Sequence, residues 1–174
     1  MARRSTFHFP MAAAAQNGAS HSTEEEVFCG IVLAGGEGKR LQPFIRSLGK
    51  GTLPKQYVNF IGARSMLEHT LRRAEKLMPS ARLLTVITES HLRYPEVREQ
   101  CATRPRDTVI VQPENKETGP GLILPLLHLY KRYPNSVDLV LPSDHLFGDG
   151  DRLMVHAGQA LLAVTQDPSK LIVL

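Results

Sequence analysis

A glycine-rich turn followed by two cations is the feature of this sequence best suited to chemistry. Residues 34–43 read AGGEGKRLQP, with Lys39 and Arg40 directly after the glycines. Glycine lets a backbone approach a ligand closely and direct its N–H groups at an anion, and the two cations add charge of the attracting sign. The segment therefore predicts a phosphate-binding loop, and a tight structural turn is the alternative interpretation.

Two familiar phosphate loops do not match this turn. A Walker A loop, G-x-x-x-x-G-K-[ST], would need glycine at Leu33 and Ser or Thr at Arg40. The dinucleotide fingerprint G-x-G-x-x-G fits at Gly36 and Gly38 but meets Leu41 where its third glycine belongs. An NAD-dependent oxidoreductase is therefore the least favoured class.

Two charged residues downstream could complete a site for phosphates and a metal ion. Lys55 follows Pro54, which fixes the backbone just before it. A single lysine in a loop is usually only a solvent-exposed charge. Lys55 becomes a candidate for phosphate binding because the glycine-rich turn is nearby. Asp144 follows an apolar run, and a carboxylate that leaves a buried strand beside a phosphate loop suits a hard cation such as Mg²⁺. An N-cap or turn role is the alternative for Asp144.

Alternating strands and helices must position these residues. Continuous apolar runs predict buried strands, and a 3.6-residue period predicts helices. The first predicted helix begins at a capping box formed by Ser65 and Glu68. The β-α repeat predicts an α/β fold, Rossmann-like with three α/β/α layers and a mostly parallel sheet, which binds ligands at the carboxyl ends of its strands. Strands are predicted at residues 27–34, 82–88, 108–112 and 137–141, with the start of a fifth at 171–174, and helices at 65–78, 96–102, 121–133 and 152–164.

Composition limits the class of protein and its partners. The 174 residues are 42% hydrophobic and 22% charged, which suits one folded domain; we predict a disordered tail at residues 1–24 and the domain at residues 25–174. The net charge of +4 is not gathered into a run of Lys and Arg, which argues against a nucleic-acid partner. No apolar stretch reaches the roughly 20 residues that cross a membrane. Cys29 and Cys101 lack metal-site spacing, so reduced thiols in a cytoplasmic protein are expected.

Three segments, in order along the chain, resemble one family. The string LAGGEGKRLQP followed by LPKQY resembles the signature G-x-G-x-R-L-x-P … P-K of sugar-nucleotide pyrophosphorylases. QPENKETGP after the third predicted strand and LPSDH after the fourth resemble segments of mannose-1-phosphate guanylyltransferases. RSMLEHTLRRAEKL is similar to the first long helix of those enzymes. The chain thus resembles the sugar-phosphate nucleotidyltransferases, with the guanylyltransferase branch favoured.

The resemblance implies a role for each matching residue. Arg40, Lys55 and Asp144 become the catalytic candidates: Arg40 holds the triphosphate with the glycines, Lys55 stabilises charge at the α-phosphorus, and Asp144 binds the catalytic Mg²⁺. The QPEN segment lies beside the base and ribose in that family. The implied nucleotide-binding set is Ala34, Gly35, Gly36, Gly38, Lys39, Arg40, Gln112, Glu114, Asn115, Thr118 and Gly119.

The implied reaction transfers a nucleoside monophosphate from an NTP, GTP in this branch, to a sugar 1-phosphate, mannose 1-phosphate in this branch, and releases pyrophosphate. A non-catalytic subunit or fragment that binds a nucleotide or nucleotide sugar is the main alternative. A cytidylyltransferase that acts on a non-sugar phosphate is another. The oligomeric state, a homo-oligomer included, stays open.

The chain departs from the family pattern in several places. Ile45 stands where Ser or Thr is usual, residues 49–52 look inserted before Lys55, and T-A-P-A has become Thr118-Gly-Pro-Gly121. Family segments that hold the sugar and supply a second metal-binding Asp would lie beyond Leu174. The resemblance therefore predicts a C-terminally truncated chain.

Overall fold

β1 (Phe28–Leu33) runs through the centre of the sheet because its side chains are mostly apolar toward both faces. The computed structural model describes residues 27–174, so the tail predicted at residues 1–24 lies outside the described residues. The other strands among the described residues are β2 (Leu83–Thr88), β3 (Val109–Gln112) and β4 (Val137–Pro142). All of them are parallel, in the order β3-β2-β1-β4.

Helices cover both faces of this sheet, which confirms the predicted Rossmann-like α/β/α fold. In the described residues the α-helices are α1 (Gln42–Ser47), α2 (Met66–Ala74), α3 (Pro95–Ala102), α4 (Thr118–Arg132) and α5 (Gly150–Gln166). Helices α2 and α5 pack on one face and α4 packs on the other. Short 3₁₀ segments lie at Lys39–Leu41, Lys55–Tyr57, Ser80–Arg82 and Glu89–Arg93.

The pleat of β1 divides the core between the two helical layers. Successive side chains of a strand point to opposite faces, so Val32 joins the core that includes α2 and α5, whereas Cys29 and Ile31 join the core beneath α4. Burial of each aliphatic side chain of this size stabilises the fold by about 1.5–3 kcal/mol. Both cysteines of the chain are free thiols.

The capping box predicted at the start of α2 is present. The Ser65 hydroxyl accepts a hydrogen bond from the Glu68 backbone N–H at 3.1 Å, and the Glu68 carboxylate accepts one from the Ser65 N–H at 2.7 Å. These contacts satisfy two backbone donors that the first turn of a helix leaves without partners. The start of α2 is therefore fixed by local chemistry, as its sequence indicates.

Three predicted elements differ from the structure. Helix α2 ends at Ala74 rather than at the predicted residue 78. The fifth strand predicted at residues 171–174 is wrong: those residues form no strand, and Leu171 is 92% exposed. Helix α4 begins at Thr118 rather than at the predicted residue 121, so Thr118 and Gly119 lie in its first turn. The structure also adds α1, which the sequence pattern had not indicated.

None of the helices within residues 27–174 is both long enough and apolar enough to span a membrane.

Candidate nucleotide-binding site

Segments that follow all four strands meet at one edge of the sheet, because parallel strands bring their carboxyl ends together. The glycine-rich turn follows β1, the 3₁₀ segment Glu89–Arg93 follows β2, the loop at residues 113–117 follows β3, and Asp144 follows β4. A cleft of about 380 Å³ opens at this edge. Its lining comes from the turn, Lys55 and the loop after β3: Gly36, Glu37, Gly38, Lys39, Arg40, Leu41, Lys55, Asn115 and Glu117.

The glycine-rich turn is held from below by side-chain donors. The Gln56 amide donates to the carbonyl oxygens of Ala34 at 2.6 Å and Gly36 at 2.9 Å, and Gln56 is buried. The Thr88 hydroxyl donates to the Gly35 carbonyl at 2.9 Å. Because these donors occupy the carbonyl oxygens, the turn is preorganised without a ligand. Sequence reasoning missed Gln56 and Thr88; the only signals were a glutamine next to Lys55 and a threonine that ends β2.

Gly38 must be glycine for two separate reasons. Its φ of +62° lies in the left-handed region, which side chains with a Cβ rarely adopt. A Cβ built there would also lie 3.0 Å from Lys55 Cγ and 3.3 Å from the Lys55 backbone nitrogen. The glycine therefore lets the turn close directly onto the segment that carries Lys55.

Lys55 joins the turn to Asp144. Its ammonium forms an ion pair with the Asp144 carboxylate, and the two side chains are 30% and 24% exposed. Lys55 therefore lies between the backbone at Gly38 and the Asp144 carboxylate. His145 Nε2 lies 3.9 Å from the other Asp144 carboxylate oxygen.

Arg73 of α2 anchors the loop that carries Asp144. Its guanidinium donates to the His145 carbonyl at 3.2 Å and lies over the Phe147 ring, 5.1 Å from the ring centroid. A Cβ on Gly150 would fall 2.7 Å from Arg73 Cδ, so the start of α5 packs directly on this side chain. Burial lowers the pKa of Arg73. Sequence reasoning gave no signal for this residue.

The other residues predicted to bind nucleotide fall into two groups. Lys39 and Arg40 lie exposed at the rim of the cleft, and Asn115 lines it with its Oδ1 accepting a hydrogen bond from the Glu117 N–H at 3.0 Å. Glu114 is exposed and pairs with Lys116 at 2.7 Å. These groups can all reach a ligand in solution, and Thr118 and Gly119 are likewise exposed at the start of α4.

Ala34 and Gln112 are buried under the turn. The Ala34 N–H donates to the Val86 carbonyl at 2.8 Å and its carbonyl accepts from Gln56, so both backbone groups have partners inside the protein. Gln112 Oε1 would lie 3.3 Å from a Cβ on Gly35, which places this side chain directly against the turn. A direct nucleotide contact for either residue stays a prediction.

A buried aromatic pair lies behind the cleft. The Tyr57 hydroxyl lies 3.1 Å from the Ala34 carbonyl oxygen and 3.2 Å from His91 Nδ1. Burial lowers the pKa of His91, although the nearby Glu37 carboxylate opposes that shift, and burial raises the pKa of Tyr57. Both groups therefore favour their neutral forms.

Asp144 is a single carboxylate and not part of a protein-only metal cage. Within residues 27–174 no group of three or more His, Cys, Asp or Glu side chains is arranged to hold a metal ion. Mg²⁺ typically binds through one or two carboxylates together with water and substrate phosphates. Asp144, which is ion-paired to Lys55 of the cleft, is the carboxylate that would serve as the protein ligand in that mode of binding.

The fold and this edge define a class: an open parallel α/β protein with a preorganised, cation-flanked glycine turn next to a carboxylate that follows a strand. The family model of the nucleotidyl transferases matches residues 29–166, and the chain belongs to this family.

Several relatives have known names. The chain is 31% identical over 119 residues to a mannose-1-phosphate guanylyltransferase of Salmonella montevideo, an alignment that covers 68% of this chain and 24% of that protein. It is 30% identical over 119 residues to the xanthan biosynthesis protein XanB of Xanthomonas campestris pv. campestris (strain B100), with the same coverage of 68% and 24%. The chain therefore spans about a quarter of the length of these relatives.

A solved structure supports the fold assignment. A crystal structure described as mannose-1-phosphate geranyltransferase from Thermus thermophilus superposes with a TM-score of 0.61 at 25% sequence identity. The match covers 79% of this chain and 38% of that one.

Proposed function

We propose that this chain contributes the nucleotide-binding part of an enzyme that transfers a nucleoside monophosphate from an NTP to a sugar 1-phosphate. The observation that carries the proposal is the Lys55–Asp144 ion pair beside Gly38, because it joins the phosphate turn and the carboxylate at one edge. The names of the relatives favour GTP and mannose 1-phosphate as the substrates.

The proposed reaction is an in-line displacement at the α-phosphorus. A phosphate oxygen of the sugar 1-phosphate forms a bond to that phosphorus, the bond to the bridging oxygen of the β-phosphate breaks, and pyrophosphate leaves. No covalent enzyme intermediate is required, so the protein contributes by orienting the substrates and neutralising charge.

Arg40, Lys55 and Asp144 then each have a task, together with backbone groups of the glycine-rich turn. Backbone N–H groups of Gly36 and Gly38 and the side chain of Arg40 bind the outer phosphates. Lys55 leaves Asp144 and donates hydrogen bonds to the α-phosphate, where negative charge develops. Asp144 would hold Mg²⁺, which would supply Lewis-acid neutralisation of charge on the phosphate oxygens.

Nucleotide binding without turnover is the second candidate. It is favoured by one observation: the glycines and cations that line the cleft suit a triphosphate and need no further residues to bind one. Contacts to the sugar have no assigned residues among residues 27–174.

One experiment separates the two candidates. Binding of GTP in the presence of Mg²⁺ is measured by calorimetry, and pyrophosphate release is then measured with GTP and mannose 1-phosphate, followed by other NTPs and acceptors. Binding with release supports the enzyme, and binding without release supports the binding subunit. Absence of binding by every NTP would contradict both.

Arg40→Ala supplies the matched variant for this experiment. It should weaken binding of every NTP, because it removes a charge at the rim of the cleft and leaves the buried supports of the turn in place. Arg72→Ala, an exposed arginine on α2, is the control.

A further inference from the structure

Glu37 places a carboxylate in the middle of a turn suited to anions. It lies between Gly36 and Gly38, lines the cleft, and its side chain is 39% exposed. Like charges at a few ångströms repel strongly when partly shielded from water. If the cleft receives phosphates, as proposed above, the carboxylate must be kept away from them.

His91 faces this carboxylate from inside the protein. Its Nε2 lies 3.7 Å from Glu37 Oε1, and the His91 side chain is 2% exposed. Among the described residues, Nε2 has no hydrogen-bond partner. Because buried polar atoms almost always have one, this orphaned nitrogen indicates a contact with Glu37 that tightens by about 0.5 Å to reach hydrogen-bond distance.

The imidazole ring is locked in this orientation. Its Nδ1 lies 3.2 Å from the Tyr57 hydroxyl, and the two rings meet edge to face at 82° with centroids 5.5 Å apart. The single hydrogen of the Tyr57 hydroxyl can go to the Ala34 carbonyl or to Nδ1. The Ala34 carbonyl already accepts from Gln56, so the Tyr57 hydrogen is free for Nδ1, and the neutral imidazole then carries its own hydrogen on Nε2, facing Glu37.

We infer that His91 is a positioning residue that holds the Glu37 carboxylate back from the phosphate side of the cleft. The inference rests on the proposed function, since it assumes that a polyphosphate occupies the cleft. It adds that affinity for the polyphosphate depends on a side chain behind the turn that never touches the ligand.

Variants of His91 separate positioning from simple structural support. In His91→Asn the amide replaces Nδ1 and leaves nothing at Nε2, whereas in His91→Gln the amide reaches the Nε2 position. Binding of GTP, and of inorganic tripolyphosphate as a base-independent probe, is measured by calorimetry on the full chain with Mg²⁺. H91N should bind about tenfold more weakly, and H91Q should lie much closer to wild type.

A second substitution at Glu37 tests the cause. Adding Glu37→Gln to H91N removes the released charge and should restore most of the lost affinity. A purely structural defect of H91N would not be repaired by a change at the exposed rim. If the double variant binds as weakly as H91N, the inference is wrong.

Glu37→Asp is a further test variant that leaves the buried core unchanged. The shorter side chain keeps the charge but no longer reaches His91, so binding should weaken by about tenfold, whereas E37Q should bind at least as tightly as wild type. Equal affinities for E37D and wild type would overturn the inference. If wild type itself binds neither probe, the proposed function fails instead.

Discussion

At the residue scale, Gly38 is the position in the glycine-rich turn that least tolerates a side chain. Gly38→Ala forces a Cβ into left-handed backbone and against the Lys55 backbone nitrogen, 3.3 Å away. We expect a loss of about 1–3 kcal/mol in the free energy of unfolding, measured by urea denaturation. Gly36→Ala is the control, because a Cβ there would have no heavy atom of the described residues within 4 Å. Equal destabilisation by both changes would contradict this account.

The Lys55–Asp144 pair makes a second prediction at this scale. Lys55 neutralises Asp144 while no ligand is bound, so it competes with a metal ion for the carboxylate. Lys55→Met should therefore bind Mn²⁺ alone several-fold more tightly than wild type, measured by electron paramagnetic resonance titration, while any nucleotidyl transfer falls by roughly 10²–10³. Asp144→Asn should lose the Mn²⁺ site in either background.

A matched control for Lys55→Met lies elsewhere in the chain. Lys76 forms an ion pair with Asp151 on the exposed surface. Removing that lysine should leave Mn²⁺ affinity as it was, since exposed pairs contribute little. If K55M and K76M change Mn²⁺ affinity equally, the competition at Asp144 does not exist.

At the element scale, the sequence predicts where the strands lie but not which strand pairs with which. The runs at β1, β2 and β4 are apolar whichever strand lies beside them, so composition alone indicates them. The run at residues 171–174 is equally apolar, yet a strand exists only where a neighbour completes the hydrogen-bond ladder. In the structure these residues lie beside the groove between β4 and α5 without pairing to β4.

The contact between α2 and the loop after β4 is an element-scale feature that can be tested. Arg73→Met loses the hydrogen bond to the His145 carbonyl and the contact with Phe147. We expect the free energy of unfolding to fall by about 1–2 kcal/mol. Mn²⁺ affinity in the K55M background should also fall, because Asp144 is less well positioned. Arg72→Met, one residue away and exposed, should do neither.

At the scale of the whole molecule, the site could be predicted because the sheet is parallel. Three motifs far apart in sequence each follow a strand, and parallel pairing alone brings their ends to one edge. The supports behind the edge could not be predicted, since Gln56, His91 and Arg73 act through contacts across 20 to 72 residues of chain. Glutamine, histidine and arginine carry no periodic signal that would reveal such partners.

At the same scale, the pH dependence of stability reflects His91, which is buried, and Asp138, which is partly buried. Burial lowers the pKa of His91, so the folded state binds fewer protons there than the unfolded chain does. Stability from this group is complete above the unfolded pKa of about 6.5 and is lost as pH falls below it. Burial raises the pKa of Asp138, which changes stability with pH in the opposite direction.

Between pH 7.5 and 5.5 the histidine should therefore dominate this balance. The free energy of unfolding of wild type, measured by urea denaturation, should fall across this range by at most about 1.4 kcal/mol per pH unit, the limit for one proton. His91→Gln does not titrate, so its curve should be flatter, while Asp138→Asn should keep the loss of stability toward acid because it retains His91. A slope in H91Q as steep as that of wild type would show that another group drives the transition and that the His91 imidazole is not held neutral against Glu37.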